Sequence, residues 1–179
     1  MKTFDELEEL RRQKPLGPQG AGLVRRICLR RGGGRHEVVT RAAVTRDEGV
    51  VGDRWRLSDD PERACQVTLM NASVGDWIAH GDTLPEDAGD NFQVELDLSE
   101  RTLPVGARVR LGTALLEVSD EPHLGCKKFR ERFGVGALRW VNHAELRPER
   151  LRGVNLRVVA DGEVALGDAV VVLPAEGTK

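Results

Sequence analysis

The stretch EPHLGCKKF, residues 121–129, carries the residues best placed to do chemistry. It follows an alternating apolar run (114–120) and leads into an amphipathic stretch, KKFRERFG. If Cys126 stands at the first turn of a helix over 126–133, the unpaired backbone N–H groups and helix dipole favour its thiolate. Lys127, Lys128 and Arg130 add positive charge beside it. A thiolate is both the nucleophile and the soft metal ligand of cysteine chemistry. These residues alone leave a reactive Cys126 and a small buried filler equally open. His123 makes an H-x-x-C pair with it. Structural zinc takes about four ligands, and His36, His80 and His143 form no second pair. Nor does anything mark the orienting partner or oxyanion hole of a Cys–His hydrolase. Cys28 and Cys65 fall in strand-like runs, RRICL and ACQVTL, and read as core fillers.

Three other stretches are unusual in polar content. GVVGDRW (49–55) sets Asp53 and Arg54 after a glycine turn, and GDNFQVELDLSE (89–100) opens a strand with Asp90 and Asn91. LRGVNLRVV (151–159) puts Arg152-Gly153 directly before a strand. An arginine beside a glycine lets a guanidinium and a bare amide face one anion. Each stretch is ordinarily a turn or a rim salt bridge. Together with 126–130 they make an anion pocket only if the fold unites them.

The elements that must position these residues are mostly strands. LVRRICLR, EVVTRAAV, FQVEL, ARVRL, TALLEV, NLRVVA and DAVVVL are short runs separated by turn signals. They predict a sheet closed on itself or two packed sheets, not βαβ units. Gly112-Thr113 in RVRLGTALLEV suits a two-residue hairpin. Residues 3–14 predict a helix with a Thr3/Glu6 capping box, ended by PLGPQGAG. Further helices are expected over 71–81, capped by Asn71 and stopped by Gly81, over 126–134, ended by Gly134, and more weakly over 137–146.

At 179 residues the chain has the length of one ordinary domain. A net charge of −2 and 4% aromatic residues give no case for a nucleic-acid binder. No apolar run approaches the roughly 20 residues of a membrane span, and the acidic N-terminus is unlike a signal peptide. Three widely spaced cysteines argue against a disulfide framework and for a reducing cytoplasm.

The ordered series GVVGDRW, QVTLMN, GDNFQVELDLSE, LPVGARVRLGTALLEV, EPHLGCKKF, RGVNLRVV and DGEVALGDAVVV resembles the MOSC domain. That module is found at the C-terminus of molybdenum-cofactor sulfurases and in small stand-alone bacterial proteins. The resemblance spans residues 22–173, leaving 1–21 as an N-terminal helix and linker and 174–179 as a tail. It implies a mainly β fold, a MOSC-type β-barrel with a few short peripheral helices. It also implies one signature cysteine, which falls on Cys126. Members are regarded as sulfur carriers, taking sulfur as a persulfide from a pyridoxal-phosphate-dependent cysteine desulfurase. The pyridoxal phosphate then belongs to the partner. In relatives that bind the molybdenum cofactor, the cysteine ligates molybdenum and N-hydroxylated compounds are reduced, which requires an electron-transfer partner. Many members have Pro before the cysteine, where this chain has Gly125. The residues offered to such a cofactor are Asp53, Arg54, Asn91, Lys127, Lys128 and Arg152. A cofactor-free β-barrel docking module is the reading from another class.

Overall fold

The computed structural model describes residues 1–174; all but the first residue of the expected tail lies outside the described residues. The alternating runs form strands because their apolar positions recur every second residue and line one face. In chain order they are β1 (Ala21–Arg30), β2 (His36–Val39), β3 (Arg41–Thr45), β4 (Gly49–Val50), β5 (Val67–Asn71), β6 (Phe92–Val94), β7 (Arg108–Leu111), β8 (Ala114–Val118), β9 (Val154–Ala160), β10 (Gly162–Ala165) and β11 (Ala169–Val172). Seven of them run β11-β7-β8-β9-β5-β6-β1, and β1 pairs back onto β11 to close a barrel. Among the described residues only β5 and β6 are parallel neighbours. Strand β2 extends from β1 outside the closure, and β10, β3 and β4 form a separate small sheet. The fold is mainly β, a closed barrel with a few short helices, as expected.

Two regions of the core divide the labour. Val24, Ile27, Leu69, Phe92, Leu116 and Leu156 are fully buried within the barrel. A second cluster, with Leu7, Met70, Phe129, Phe133 and Trp140, lies under the helices. Helix α1 (Phe4–Gln13) carries the expected capping box between Thr3 and Glu6. Helix α2 (Ala72–Ile78) is capped by Asn71 but stops three residues before Gly81, with Ala79 extended. Helix α3 (Lys127–Val141) joins the two stretches expected as separate helices, and bends between them at Gly134, φ 86° and ψ 172°. A Cβ on Gly134 would strike Met1, and one on Gly136 would strike the backbone of Lys2 and Thr3. The N-terminus is thus seated on the bend, and Trp140 Nε1 donates to Glu8 of α1 at 3.1 Å.

Some strand expectations change. EVVTRAAV is two strands in two sheets, broken at Thr40, whose carbonyl accepts from Leu166 N–H. FQVEL pairs as β6 over three residues only. Cys65 does not fill the core as expected. It ends a short 3-10 turn, Arg63–Cys65, is half-buried, and lies 3.9 Å from a Glu62 carboxylate oxygen. Cys28 is buried as expected at 1% exposure. Among the described residues no helix is long and apolar enough to cross a membrane.

Candidate functional site

Cys126 is the N-cap of α3, with extended backbone (φ −109°, ψ −178°), and its carbonyl accepts from Arg130 N–H at 3.0 Å. Its thiol makes no capping hydrogen bond and is solvent-exposed. The residue before it is locked. Gly125 N–H donates to Asn142 Oδ1 at 2.8 Å, and Asn142 Nδ2 donates back to the Gly125 carbonyl at 3.0 Å. A Cβ at Gly125 would lie 2.8 Å from Leu138 Cδ1 and 3.1 Å from Val141 Cγ2, so a larger residue would require side chains in the second half of α3 to shift. Proline at this position, common among members of the resembled family, would also lose the N–H that Asn142 holds.

His123 anchors the other end of the turn. Its Nε2 lies 2.8 Å from Asp90 Oδ1, and Arg152 Nη1 donates to Asp90 Oδ2 at 2.6 Å. Asp90 is fully buried and Arg152 is 6% exposed. The arginine also donates to the Ala88 carbonyl at 3.0 Å and stacks 5.1 Å from the centre of the Phe129 ring, one turn into α3. Burial opposes the Asp90 charge, yet Arg152 and His123 together hold its carboxyl below the ordinary value. An ionised carboxylate only accepts, so His123 Nε2 carries the hydrogen and Nδ1 keeps the lone pair. Burial first, and then the Arg152 charge, hold the imidazole below its ordinary value. It is therefore neutral at pH 7.

The neighbouring Asn91 belongs to a second network. Its Nδ2 donates to Asp53 at 3.0 Å, and its Oδ1 accepts from Thr68 N–H at 3.1 Å. Asp53 accepts a bidentate Arg30 guanidinium at 2.8 and 2.9 Å, and caps the 3-10 turn Arg54–Leu57 through Trp55 N–H. The polar stretches read from sequence thus do converge: GDRW meets GDN at Asp53–Asn91, and GDN meets EPHLGC and RGVN at Asp90. Asp53 and Asn91 are spent inward on Arg30 and Thr68. Arg54, Lys127 and Lys128 are exposed, with Lys127 3.9 Å from Glu131. Gly153 N–H, expected to face an anion beside Arg152, donates to the Arg150 carbonyl at 2.8 Å. Sequence marks neither Arg30, one of three arginines in β1, nor Asn142, whose partner lies 17 residues back.

Beside the turn lies a cleft of about 260 Å³. His123, Leu124 and Arg152 line it, with Val118, Val154 and Arg147 on its walls. Arg152 Nε is buried there without a partner among the described residues. Cys126 is not a lining residue; it follows two positions after Leu124, which is 49% exposed.

The buried imidazole fixes a pH dependence. His123 and His36 both have folded values below 6.5, so the unfolded chain binds more protons just below that pH. Stability is then fully present above pH 6.5 and falls as pH drops towards the folded values. Chemical denaturation at stepped pH is expected to show this loss, with a shallower slope in His123→Gln. An unchanged slope would mean that His123 is already charged in the folded protein.

A closed barrel presenting one exposed cysteine ahead of a helix defines the class. The family model for the MOSC domain matches residues 61–171, more than half of the chain, and the chain belongs to that family, which is associated with the molybdenum cofactor. It is similar to the crystal structure of the YuaD protein from Bacillus subtilis, with a TM-score of 0.62 and 16% identity over 85% of this chain and 95% of that one. It is also similar to YiiM from Escherichia coli, with a TM-score of 0.58 and 17% identity over 87% and 70% of the two chains. At such identities the likeness is one of fold. No curated protein matches the sequence.

Proposed function

We propose that this MOSC protein is a sulfur carrier whose working group is the Cys126 thiol. The observation that carries the reading is an exposed thiol, unpartnered among the described residues, at a helix N-cap on a turn fixed by Asn142 on one side and Asp90 on the other. The Cys126 thiolate attacks the outer sulfur of a donor persulfide. A sulfur–sulfur bond forms at Cys126 as the donor's breaks, and the donor cysteine leaves as a thiolate. No outside oxidant is consumed. A cysteine desulfurase, with its own pyridoxal phosphate, is the donor this chemistry asks for. Cys28 is unsuited, because burial and nearby carboxylates push its thiol up to about 12.

The residues also fit the molybdenum cofactor. Cys126 offers soft sulfur, Arg152 Nε is an unspent buried N–H, and Lys127 and Lys128 face solvent for a phosphate. When bound, the cofactor would supply two-electron redox chemistry, the basis of the second reading as a reductase of N-hydroxylated compounds. That reading further needs an electron-transfer protein. Asp53 and Asn91, already paired, would act through the loop they brace, while the exposed Arg54 would offer its charge directly.

Incubation with a cysteine desulfurase and free cysteine is expected to add the mass of one sulfur atom to the Cys126 peptide. Cys126→Ser should gain none and unfold like the parent. Labelling at Cys28 or Cys65, or nowhere, would overturn the carrier reading. Stoichiometric molybdenum and pterin in purified protein would instead favour the reductase.

A further inference from the structure

Exposed cations come from the start of α3, directly after Cys126, and from two further segments. Lys128 and Arg130 begin α3, Arg35 follows the 3-10 turn Gly32–Gly34, and Arg54 and Arg56 lie in the 3-10 turn Arg54–Leu57. Arg132 ties the first two segments together. It stands one helical turn past Lys128 on the same face, and donates to the Gly34 carbonyl at 3.1 Å and to the Asp87 carbonyl at 2.6 Å. The second segment is joined to the third by Arg31, whose Nη1 donates to the Gly52 carbonyl, and by Arg30, which donates to Asp53 at 2.8 Å. His36 lies 3.4 Å from Arg132 Nη1. Arg130 stands one turn below Cys126 on the helix.

Several carboxylates near these segments are spent locally, although Asp120 and Glu121, exposed before the turn that carries Cys126, have no such pair among the described residues. Glu131 faces Lys127, Glu37 pairs with Arg31 at 2.8 Å, Asp87 lies 3.9 Å from His36, and Asp53 holds Arg30. Lys128, Arg130, Arg35, Arg54 and Arg56 have no side-chain partner among the described residues. Asp59 and Asp60, next along the chain, end the run of positive charge. Leu57, 79% exposed, sits within the run as an apolar point of attachment. Such concentration is not dictated by composition, since the chain as a whole carries −2.

We propose that this cationic face around Cys126 is the docking surface for the acidic surface of the protein that delivers sulfur. The proposal rests on the carrier reading above. A protein is favoured over a nucleic acid because these cations have one aromatic ring among them that is not buried, the half-buried Trp55, whereas a single strand is held by stacking successive bases. Opposed charge of this kind accelerates encounter about 10-fold or more at low salt and fades as the Debye length shortens.

The test uses the full chain and a pyridoxal-phosphate-dependent cysteine desulfurase as the probe, read in two ways. The first is sulfur transfer to Cys126; the second is binding of the desulfurase to immobilised Cys126→Ser protein. The doubly reversed variant Arg35→Glu/Arg56→Glu is expected to lose about 10-fold in both, and to flatten their salt dependence. Alkylation of Cys126 by uncharged iodoacetamide should be unchanged in that variant, showing an intact fold and thiol. Transfer and binding that ignore the reversal and salt overturn the docking face while leaving the carrier reading in place. Salt-sensitive binding without transfer sustains the face and removes the carrier reading. A desulfurase that neither binds nor transfers overturns both. Binding of a single-stranded oligonucleotide that displaces the desulfurase overturns the protein partner.

Discussion

Replacing Asp90 with alanine is expected to destabilise the fold by roughly 3–5 kcal/mol, the usual consequence of stranding one member of a buried ion pair. Arg152, 94% buried by its 6% exposure, would keep only the Ala88 carbonyl and the Phe129 ring as partners. His123 would lose the acceptor that sets its tautomer. Both effects converge on the turn that presents Cys126, so the variant should also alter Cys126 alkylation where it still folds. Urea unfolding at pH 7 provides the measurement. A loss below about 1 kcal/mol would place Arg152 among groups that find solvent instead.

Gly153→Ala is the second large effect, on the order of 3 kcal/mol from backbone strain and displacement. Gly153 has φ 107°, and a Cβ there would overlap the Leu69 carbonyl of β5 and press against His123 Cδ2 at 3.3 Å. Neither neighbour can give way cheaply. The Leu69 backbone is a barrel stave paired on both sides, to β6 and to β9. His123 is pinned to Asp90. Alanine at the solvent-facing Gly33, φ 73° with open space around it, is the control for strain without overlap. Equal losses at the two positions, in unfolding curves, would show that the overlap is relieved.

The barrel was readable because it depends on local periodicity. β7 and β8, with Gly112-Thr113 between them, follow from alternation and one turn signal. The order of the staves does not follow, since β5 and β9 meet across a separation that no pattern in either strand records. The β3–β10 sheet was hidden for a related reason: Arg41–Thr45 continues the β2 pattern, and only Thr40, accepting from Leu166 N–H, marks the change of sheet. At the site, Cys126 and the three polar stretches stood out by residue type. Their pairing did not. Whether Arg152 faces solvent or Asp90 depends on tertiary burial, and so does the commitment of Asp53 to Arg30. Local physics left the role of Cys126 open and only the resemblance to the MOSC domain favoured one side; the family match bears out the domain.

Closure of the barrel between Ala21–Leu23 and Ala169–Val171 has a consequence for how the protein is made. The two strands that complete the ring are the first and last among the described residues, far apart in sequence. Loop-closure entropy makes such a pairing late and slow, and the exposed edge of β1 must wait for β11 to be synthesised. β2 forms a local hairpin with β1 over Ile27–Arg30, so it covers that end of the strand from the start and leaves Ala21–Leu23 open until β11 arrives. The strand outside the ring thus guards one end of β1 permanently, while the other is sealed last.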